Sequence, residues 1–173
     1  MILLSLFLLV AIATFTDLRA RRIPNWLVAS AIALALPLQI GAYGLLNGSM
    51  SWICGMLIGL TLFLPGYLMR MMGAGDVKLM AAIGALAGVL PIIEIVCYSY
   101  IFGGVFALLV MLLRGQIGRG LRNIKTWLTT MLIARQTHLP QELHQASRIE
   151  SVGTLPYAVP IALGTVYVLL SGI

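Results

Sequence analysis

Residues 50–69 read MSWICGMLIGLTLFLPGYLM, a run of twenty residues without a charged side chain. A helix of about 20 apolar residues is long enough to cross the hydrocarbon core of a bilayer. Five further apolar runs flank it, near Ile2–Thr16, Ile23–Leu46, Val77–Leu90, Ile92–Leu113 and Thr154–Leu170. The run that begins at Val77 is short, and Pro91 separates it from the next, so these two are predicted to form a helical hairpin. The pattern predicts an all-α, polytopic membrane protein of about six transmembrane helices, the short one bordered by protein or water at one end.

The composition of the whole chain agrees with this fold class. Of the 173 residues, 61% are hydrophobic and 9% are charged, whereas charged residues make up about a quarter of a soluble globular domain. Disorder is excluded as well, because it requires low hydrophobicity and high charge. Cys54 and Cys97 lie apart inside apolar runs, which excludes a zinc ribbon and argues against a disulfide. We expect one transmembrane domain that covers residues 1–173, since no internal repeat is visible.

The basic residues explain the net charge of +6 through membrane topology rather than through nucleic acid binding. All 11 fall in alternate connections, whereas the connections around residues 47–49 and 91–94 contain none. Basic residues are enriched in cytoplasmic loops, so both termini are predicted to face outward. Because nothing basic precedes the first run, it is expected to stay as a span rather than act as a signal peptide. The basic residues are Arg19, Arg21, Arg22, Arg70, Lys78, Arg114, Arg119, Arg122, Lys125, Arg135 and Arg148.

The longest predicted extramembrane segment is residues 114–153, on the cytoplasmic side. Apolar residues recur there at three- and four-residue spacing with basic residues between them, which predicts an amphipathic helix in the interface against anionic lipid. A helix packed on the other spans fits the pattern equally well. His138, Glu142 and His144 in this segment could suggest a metal site. They lie in a solvated stretch without supporting ligands, and we expect no metal there and no cofactor.

Two of the five acidic residues stand at the ends of apolar runs. Asp17 ends the first run, where the negative end of a helix dipole disfavours a carboxylate. Asp76 follows Gly73-Ala74-Gly75 at the start of the fourth run, where Asp could simply be an N-cap. Because two spans separate Asp17 from Asp76, both are predicted to emerge at the same cytoplasmic edge of the bilayer.

Ionisable groups at membrane depth are costly and usually functional. Two carboxyl groups that converge in a low-dielectric site cannot both ionise easily, so they share a proton. This is the arrangement of aspartic proteases. Gly73 and Gly75 permit backbone conformations closed to other residues, and they let an extended substrate approach beside Asp76.

The residues around both aspartates resemble a known family. The segment Thr16–Trp26, TDLRARRIPNW, is similar to the first catalytic segment of the type IV prepilin peptidases, in which an Asp precedes Ile-Pro-Asn. The segment Gly73–Leu79, GAGDVKL, resembles their second segment, G-x-G-D followed by Lys, and Leu155–Ala158, LPYA, resembles a Pro-Tyr segment near their C-terminus. The resemblance implies an intramembrane aspartic endopeptidase that removes a short basic leader from prepilin-like membrane proteins, with activated water as the nucleophile.

The resemblance also implies roles for five residues. Asp17 and Asp76 would form the catalytic dyad, and Gly73 and Gly75 would shape the loop beside it. Lys78 would lie close to the dyad, where its charge could tune a carboxylate or contact substrate. A cytoplasmic anchor that snorkels from its helix explains Lys78 equally well.

The departures from the family pattern are informative too. Larger members carry a cysteine-rich, zinc-binding insertion and methylate the new N-terminus with S-adenosylmethionine, but this chain has neither the cysteines nor the room. It is similar to the compact branch that processes Flp-type pilins in the bacterial inner membrane; archaeal preflagellin peptidases are the nearest alternative. Implied partners are a prepilin-like substrate, membrane lipid and components of pilus or secretion assembly. Pro24 and Asn25 are expected to set the turn into the second span rather than touch substrate.

Two functions from other classes compete with this interpretation. A proton- or cation-coupled transporter could use Asp17 and Asp76 as relay sites, and a non-catalytic subunit of a secretion system would need neither. Transporters usually place coupling residues near the bilayer midplane and often contain inverted repeats. Here the acids are predicted to lie at one edge, and no repeat is visible, which favours the peptidase.

Overall fold

A computed structural model of the chain describes residues 1–69, 71–113 and 156–172. These residues form six α-helices and no β-strand, which confirms the all-α fold class. The helices are α1 (Ile2–Ala20), α2 (Asn25–Tyr43), α3 (Leu45–Leu68), α4 (Ala74–Ala87), α5 (Val89–Leu113) and α6 (Ala158–Ser171). The segment 114–153, with its predicted amphipathic helix and with His138, Glu142 and His144, lies outside the described residues.

The chain divides into two compact units. The first comprises residues 1–105 and 155–173, and it carries the candidate site described below. The second comprises residues 106–154, of which residues 106–113 are described, as the end of α5.

Four helices, α1, α2, α3 and α5, are long and apolar enough to cross a membrane. The other two, α4 and α6, have 14 residues each. At 1.5 Å per residue such a helix is about 21 Å long, which is less than the roughly 30 Å of hydrocarbon. In α4, ten of the 14 residues are buried, and the helix packs against α1, α2 and α3. The short fourth helix is therefore enclosed by protein.

Glycines let α3 approach α4 closely. Gly55 and Gly84 face each other, and a Cβ on either would clash with the carbonyl oxygen of the other. One turn further along α3, a Cβ on Gly59 would lie 2.5 Å from the carbonyl oxygen of Met80. Gly55 and Gly59 form a G-x-x-x-G pattern, which is typical of closely packed membrane helices. Because these glycines have no side chains, the backbones of α3 and α4 can pack in direct contact.

The turn between α2 and α3 lies at Gly44, and the predicted connection at residues 47–49 is wrong. Gly44 has φ 82°, a region that side chains rarely adopt and glycine reaches freely. Residues 47–49 are helical instead. Gly48 is required there for packing, because a Cβ on it would lie 2.7 Å from Cα of Ile40.

The turn between α4 and α5 lies at Gly88, and the separation predicted at Pro91 is also wrong. Gly88 has φ 83° and is the single residue between the two helices. Pro91 lies in the first turn of α5, where a missing N–H removes no hydrogen bond from the helix. The proline therefore marks the beginning of α5, three residues after the turn itself.

A buried glutamine caps the C-terminal end of α4. Nε2 of Gln39, from α2, donates hydrogen bonds to the carbonyl oxygens of Ala85 at 3.2 Å and Leu86 at 3.0 Å. The last four carbonyls of a helix have no partner within it, and an unpaired carbonyl in an apolar environment is costly. Gln39, only 1% exposed, supplies the donors that water would supply elsewhere.

Candidate active site

Asp17 lies in the last turn of α1 and is 7% exposed. The helix ends at Arg21, whose φ of 50° places it in the left-handed region. The N–H of Arg21 donates to the main-chain oxygen of Asp17 at 2.8 Å. This turn ends α1 within one helical turn of the carboxylate and directs the chain across towards α2.

The carboxylate of Asp17 is bound at the beginning of α6. Its Oδ2 atom accepts a hydrogen bond from the main-chain N–H of Ala158 at 3.2 Å. The first N–H groups of a helix lack partners within it, and the N-terminal end of its dipole is positive. The start of α6 thus supplies a hydrogen-bond donor and a positive dipole end to the carboxylate of Asp17, which the C-terminal end of α1 cannot supply. Sequence reasoning missed this contact, for which the LPYA segment was the available signal.

Asp76 is the third residue of α4 and is also 7% exposed. Its Oδ2 atom accepts a hydrogen bond from the N–H of Gly73 at 2.9 Å, and its own N–H donates to the carbonyl oxygen of Gly73 at 3.1 Å. Gly73 is therefore the N-cap residue, and the alternative that placed Asp76 at the N-cap is wrong. The carboxylate instead occupies N3 and accepts from the N-cap N–H, which is one half of a capping box; Gly73 has no side chain to make the other half.

Gly73 and Gly75 leave space rather than adopt unusual backbone angles. Gly73 has φ −83° and ψ 159°, which any residue can adopt, and the positive-φ glycines lie elsewhere in the described chain. Neither residue therefore uses the conformational freedom that glycine permits. A Cβ on Gly73 would lie 3.5 Å from Oδ2 of Asp76, and one on Gly75 would lie 3.5 Å from Cβ of Ile23. A longer side chain at Gly73 would crowd the carboxylate.

Both aspartates line one pocket of about 310 Å³. Its wall is formed by the end of α1, the connection to α2 and the first turns of α4. All five site residues predicted from the sequence belong to this wall. The lining residues are Asp17, Arg21, Arg22, Ile23, Asn25, Gly73, Ala74, Gly75, Asp76 and Lys78.

Lys78 is joined to Asn25 at the edge of this pocket. The Nζ atom of Lys78 donates a hydrogen bond to Oδ1 of Asn25 at 3.1 Å. Pro24 is the N-cap of α2, with extended backbone angles, and Asn25 is its first residue. The sequence predicted a turn role for both, and the site contact of Asn25 was missed. Spacing along the chain does not reveal that the starts of α2 and α4 lie side by side.

The charges around the pocket are of both signs. Two buried carboxyl groups face a wall that also contains Arg21, Arg22 and Lys78, and the arginines had been interpreted only as markers of topology. Two carboxyl groups in one pocket, each only 7% exposed, can hold a single proton between them. Such a pair can act as general base and general acid in the same reaction.

The sequence was compared with protein-family models, with curated proteins and with solved structures, and the family models gave a match. Residues 2–108 match the model of the type IV leader peptidase family. Curated proteins and solved structures yield no match to the chain. The matched residues include α1 to α4, and with them every residue that lines the pocket. Because the match covers more than half of the sequence, the chain belongs to the type IV leader peptidase family.

Proposed function

We propose that this protein is an aspartic endopeptidase that cleaves the leader from prepilin-like membrane proteins, with Asp17 and Asp76 as its catalytic dyad. The observation that carries the proposal is that both carboxyl groups, each 7% exposed, line a single pocket. Membership of a leader peptidase family supports the reaction class. The dyad supplies chemistry that requires no covalent intermediate.

In the proposed reaction one carboxylate is ionised and the other holds a proton. The ionised group takes a proton from water, and the water oxygen bonds to the carbonyl carbon of the scissile peptide. The protonated group donates a hydrogen bond to the carbonyl oxygen. Collapse of the tetrahedral intermediate breaks the C–N bond, and a proton passes from the dyad to the leaving amine. The main-chain hydrogen bonds to Oδ2 of Asp17 and of Asp76 hold the two groups in place for this sequence.

Gly73, Gly75 and Lys78 have supporting roles in this proposal. Gly73 leaves room beside Oδ2 of Asp76 for an extended substrate chain, and Gly75 lies against Ile23 of the α1–α2 connection, where a Cβ would make an ordinary contact. Lys78, held by Asn25, presents a cation at the pocket edge. There it can donate to main-chain carbonyls of the substrate.

The proposed substrate is an Flp-type prepilin, processed at the cytoplasmic face of the bacterial inner membrane. The charge distribution supports this side, because Arg19, Arg21 and Arg22 lie at the same end of α1 as Asp17 and basic residues mark cytoplasmic ends. Residues 1–173 contain only Cys54 and Cys97, so the cysteine-rich insertion of the larger members is missing from this sequence, which supports the compact branch. Under this topology both termini lie outside, and the expected partners include pilus or secretion assembly components.

The decisive experiment combines the purified protein, in detergent or lipid, with a prepilin-like membrane protein that carries a short basic leader. Mass spectrometry of the product should show one new N-terminus and loss of the leader. The double variant Asp17→Asn, Asp76→Asn is the control and should leave the substrate intact. Absence of cleavage by the wild-type protein would contradict the proposal, and proton uptake into vesicles without cleavage would favour the transporter instead.

A further inference from the structure

A second pocket, of about 320 Å³, lies next to the candidate active site and is almost entirely apolar. We call it the apolar groove. Its walls are Val28, Ala29 and Ile32 of α2 and Met56, Leu57 and Leu60 of α3, with Ala81 of α4 between them. Its remaining lining residues, Asn25 and Lys78, also line the active-site pocket. The hydrogen-bonded Lys78–Asn25 pair is thus the boundary between the two.

The groove lies on one side of a tight contact between α2 and α3. Nε1 of Trp52 donates to the carbonyl oxygen of Ile32 at 3.0 Å, and Gly48 lies against the backbone of Gln39 and Ile40. Between Ile32 and Asn25, α2 and α3 leave a space that is also lined by the small side chain of Ala81 from α4. Ile32 lies seven positions after Asn25 along α2, so the groove is roughly 10 Å, or two helical turns, long.

We propose that the apolar groove binds the hydrophobic helix that follows the leader in the substrate. This inference rests on the proposed function and names the surface that positions its substrate. A leader peptidase must hold the cut beside Asp17 and Asp76 while the apolar helix of the substrate stays in the membrane. The groove begins at two residues that also line the active-site pocket and continues along α2 with apolar walls, so a substrate chain that passes over the Lys78–Asn25 pair can occupy both. Its polar residues are confined to the end where the substrate would leave the apolar environment.

A helix seated in an apolar groove is a common mode of peptide recognition. Binding energy from this remote segment is available to orient the scissile bond. A substrate that retains its apolar helix should therefore be cleaved with a higher kcat/KM than a short peptide that contains only the leader and the residues around the cut. A lipid chain is the other candidate occupant, and in that case a change in the groove wall would not alter the preference for the membrane substrate.

The first test fills the groove. Ala29→Phe places a ring between α2 and α3, and Ala11→Phe, at an exposed position of α1 that lines neither pocket, is the matched control. The measured quantity is kcat/KM for the membrane substrate divided by kcat/KM for the short peptide. We expect Ala29→Phe to lower this ratio about tenfold or more, equivalent to about 1.4 kcal/mol, and Ala11→Phe to leave it unchanged. Equal ratios in the two variants would overturn the inference.

The second test does not depend on cleavage. Leu57 lies in the groove wall and is 51% exposed. The variant Leu57→Cys is made in a background that carries Cys54→Ser, Cys97→Ser and Asp17→Asn, so that the protein has one thiol and does not cleave the substrate. A short bifunctional thiol reagent should cross-link this position to a Cys in the apolar helix of the substrate, two turns beyond the cut. The variant Ala11→Cys in the same background should not cross-link.

If the wild-type protein cleaves but Leu57→Cys gives no cross-link, the groove assignment is wrong. If the wild-type protein cleaves nothing, the proposed function itself is wrong, and the cross-link alone then decides whether the groove binds an apolar helix.

Discussion

Asp17 and Asp76 line the same pocket, and in each of them Oδ2 accepts a hydrogen bond from a main-chain N–H. The donors are Ala158 at 3.2 Å and Gly73 at 2.9 Å. An asparagine oxygen can accept the same bonds. Substitution by Asn can therefore retain these main-chain contacts while it removes the negative charge and the ability to take up and release a proton.

On this basis Asp17→Asn and Asp76→Asn are each expected to abolish cleavage while the protein remains inserted and folded. Each single change should reduce activity about as much as both together, because groups that act as one unit show non-additive losses. The measurement is the extent of substrate processing by each variant at matched expression, with thermal unfolding in detergent as the check on folding. Substantial processing by either variant would refute the dyad assignment.

Asp17→Glu tests geometry rather than charge. The extra methylene displaces the carboxyl group by about an ångström, and displacements of this size can cost about a hundredfold in rate. It also moves the group away from the N–H of Ala158. We expect near-complete loss of cleavage although the site keeps its ionisable group. A Glu variant with more than a tenth of wild-type kcat/KM would show that the spacing of the pair is not critical.

A side chain on Gly73 should affect catalysis more than folding. The backbone angles of this residue suit any amino acid, and a Cβ would meet Oδ2 of Asp76 at an ordinary 3.5 Å. Gly73→Ala should therefore fold normally, whereas Gly73→Val should keep its unfolding temperature but lose about tenfold or more in kcat/KM, because its methyl groups enter the space beside the carboxylate. A Val variant that cleaves normally would show that this space is not used by substrate.

Several features of the fold and the site follow from the sequence by simple rules. Hydropathy indicates the helices, and an even number of spans between Asp17 and Asp76 predicts that both reach the same end of the bundle, where the structure has them in one pocket. Helix ends are less predictable. Asn47-Gly48-Ser49 and Pro91 have turn-forming compositions, but the turns lie at Gly44 and Gly88, where φ is positive.

The contacts that join distant segments could not be derived from spacing. Ala158 binds Asp17, and Asn25 binds Lys78, only because particular faces of α6, α1, α2 and α4 are turned towards one another. The rotation of a helix about its axis is weakly encoded when nearly all of its residues are apolar. The glycines of α3 are the exception, since G-x-x-x-G indicates a packing face from sequence alone.

That packing face gives a stability prediction. Gly59→Ala places a Cβ 2.5 Å from the carbonyl oxygen of Met80, and overpacking of this kind costs typically about 1–3 kcal/mol. Gly104→Ala is the matched control, because a Cβ there has no atom of the described residues within 4 Å and Ala is the better helix former. Thermal unfolding in detergent should show a clear decrease for Gly59→Ala and none for Gly104→Ala. Equal unfolding temperatures would mean that α3 and α4 are not held as closely as their backbones indicate.

The proposed sidedness can be tested by thiol labelling of intact cells. In a background with Cys54→Ser and Cys97→Ser, Leu45→Cys at the start of α3 should react with a membrane-impermeant reagent added from outside. Ala20→Cys, at the end of α1 near the candidate site, should react only after the membrane is opened. Both side chains are exposed, so a difference in labelling reports their side of the membrane. The reverse pattern would move the candidate site to the outer face and contradict the proposed encounter with a cytoplasmic leader.

Gln39 gives the last prediction, because it stabilises the helix that carries Asp76 from the opposite end. Gln39→Leu removes both donors to the carbonyl oxygens of Ala85 and Leu86, and each buried carbonyl left unpaired costs about 1–3 kcal/mol. Ser30→Leu on the same helix is the control, since in the described part of the chain the hydroxyl of the exposed Ser30 bonds the carbonyl of Leu27 within its own helix. We expect Gln39→Leu to lower the unfolding temperature well below that of Ser30→Leu and to speed hydrogen exchange at the last turn of α4. If both variants unfold at the wild-type temperature, water or lipid headgroups satisfy these carbonyls, and the end of α4 is not sealed by Gln39.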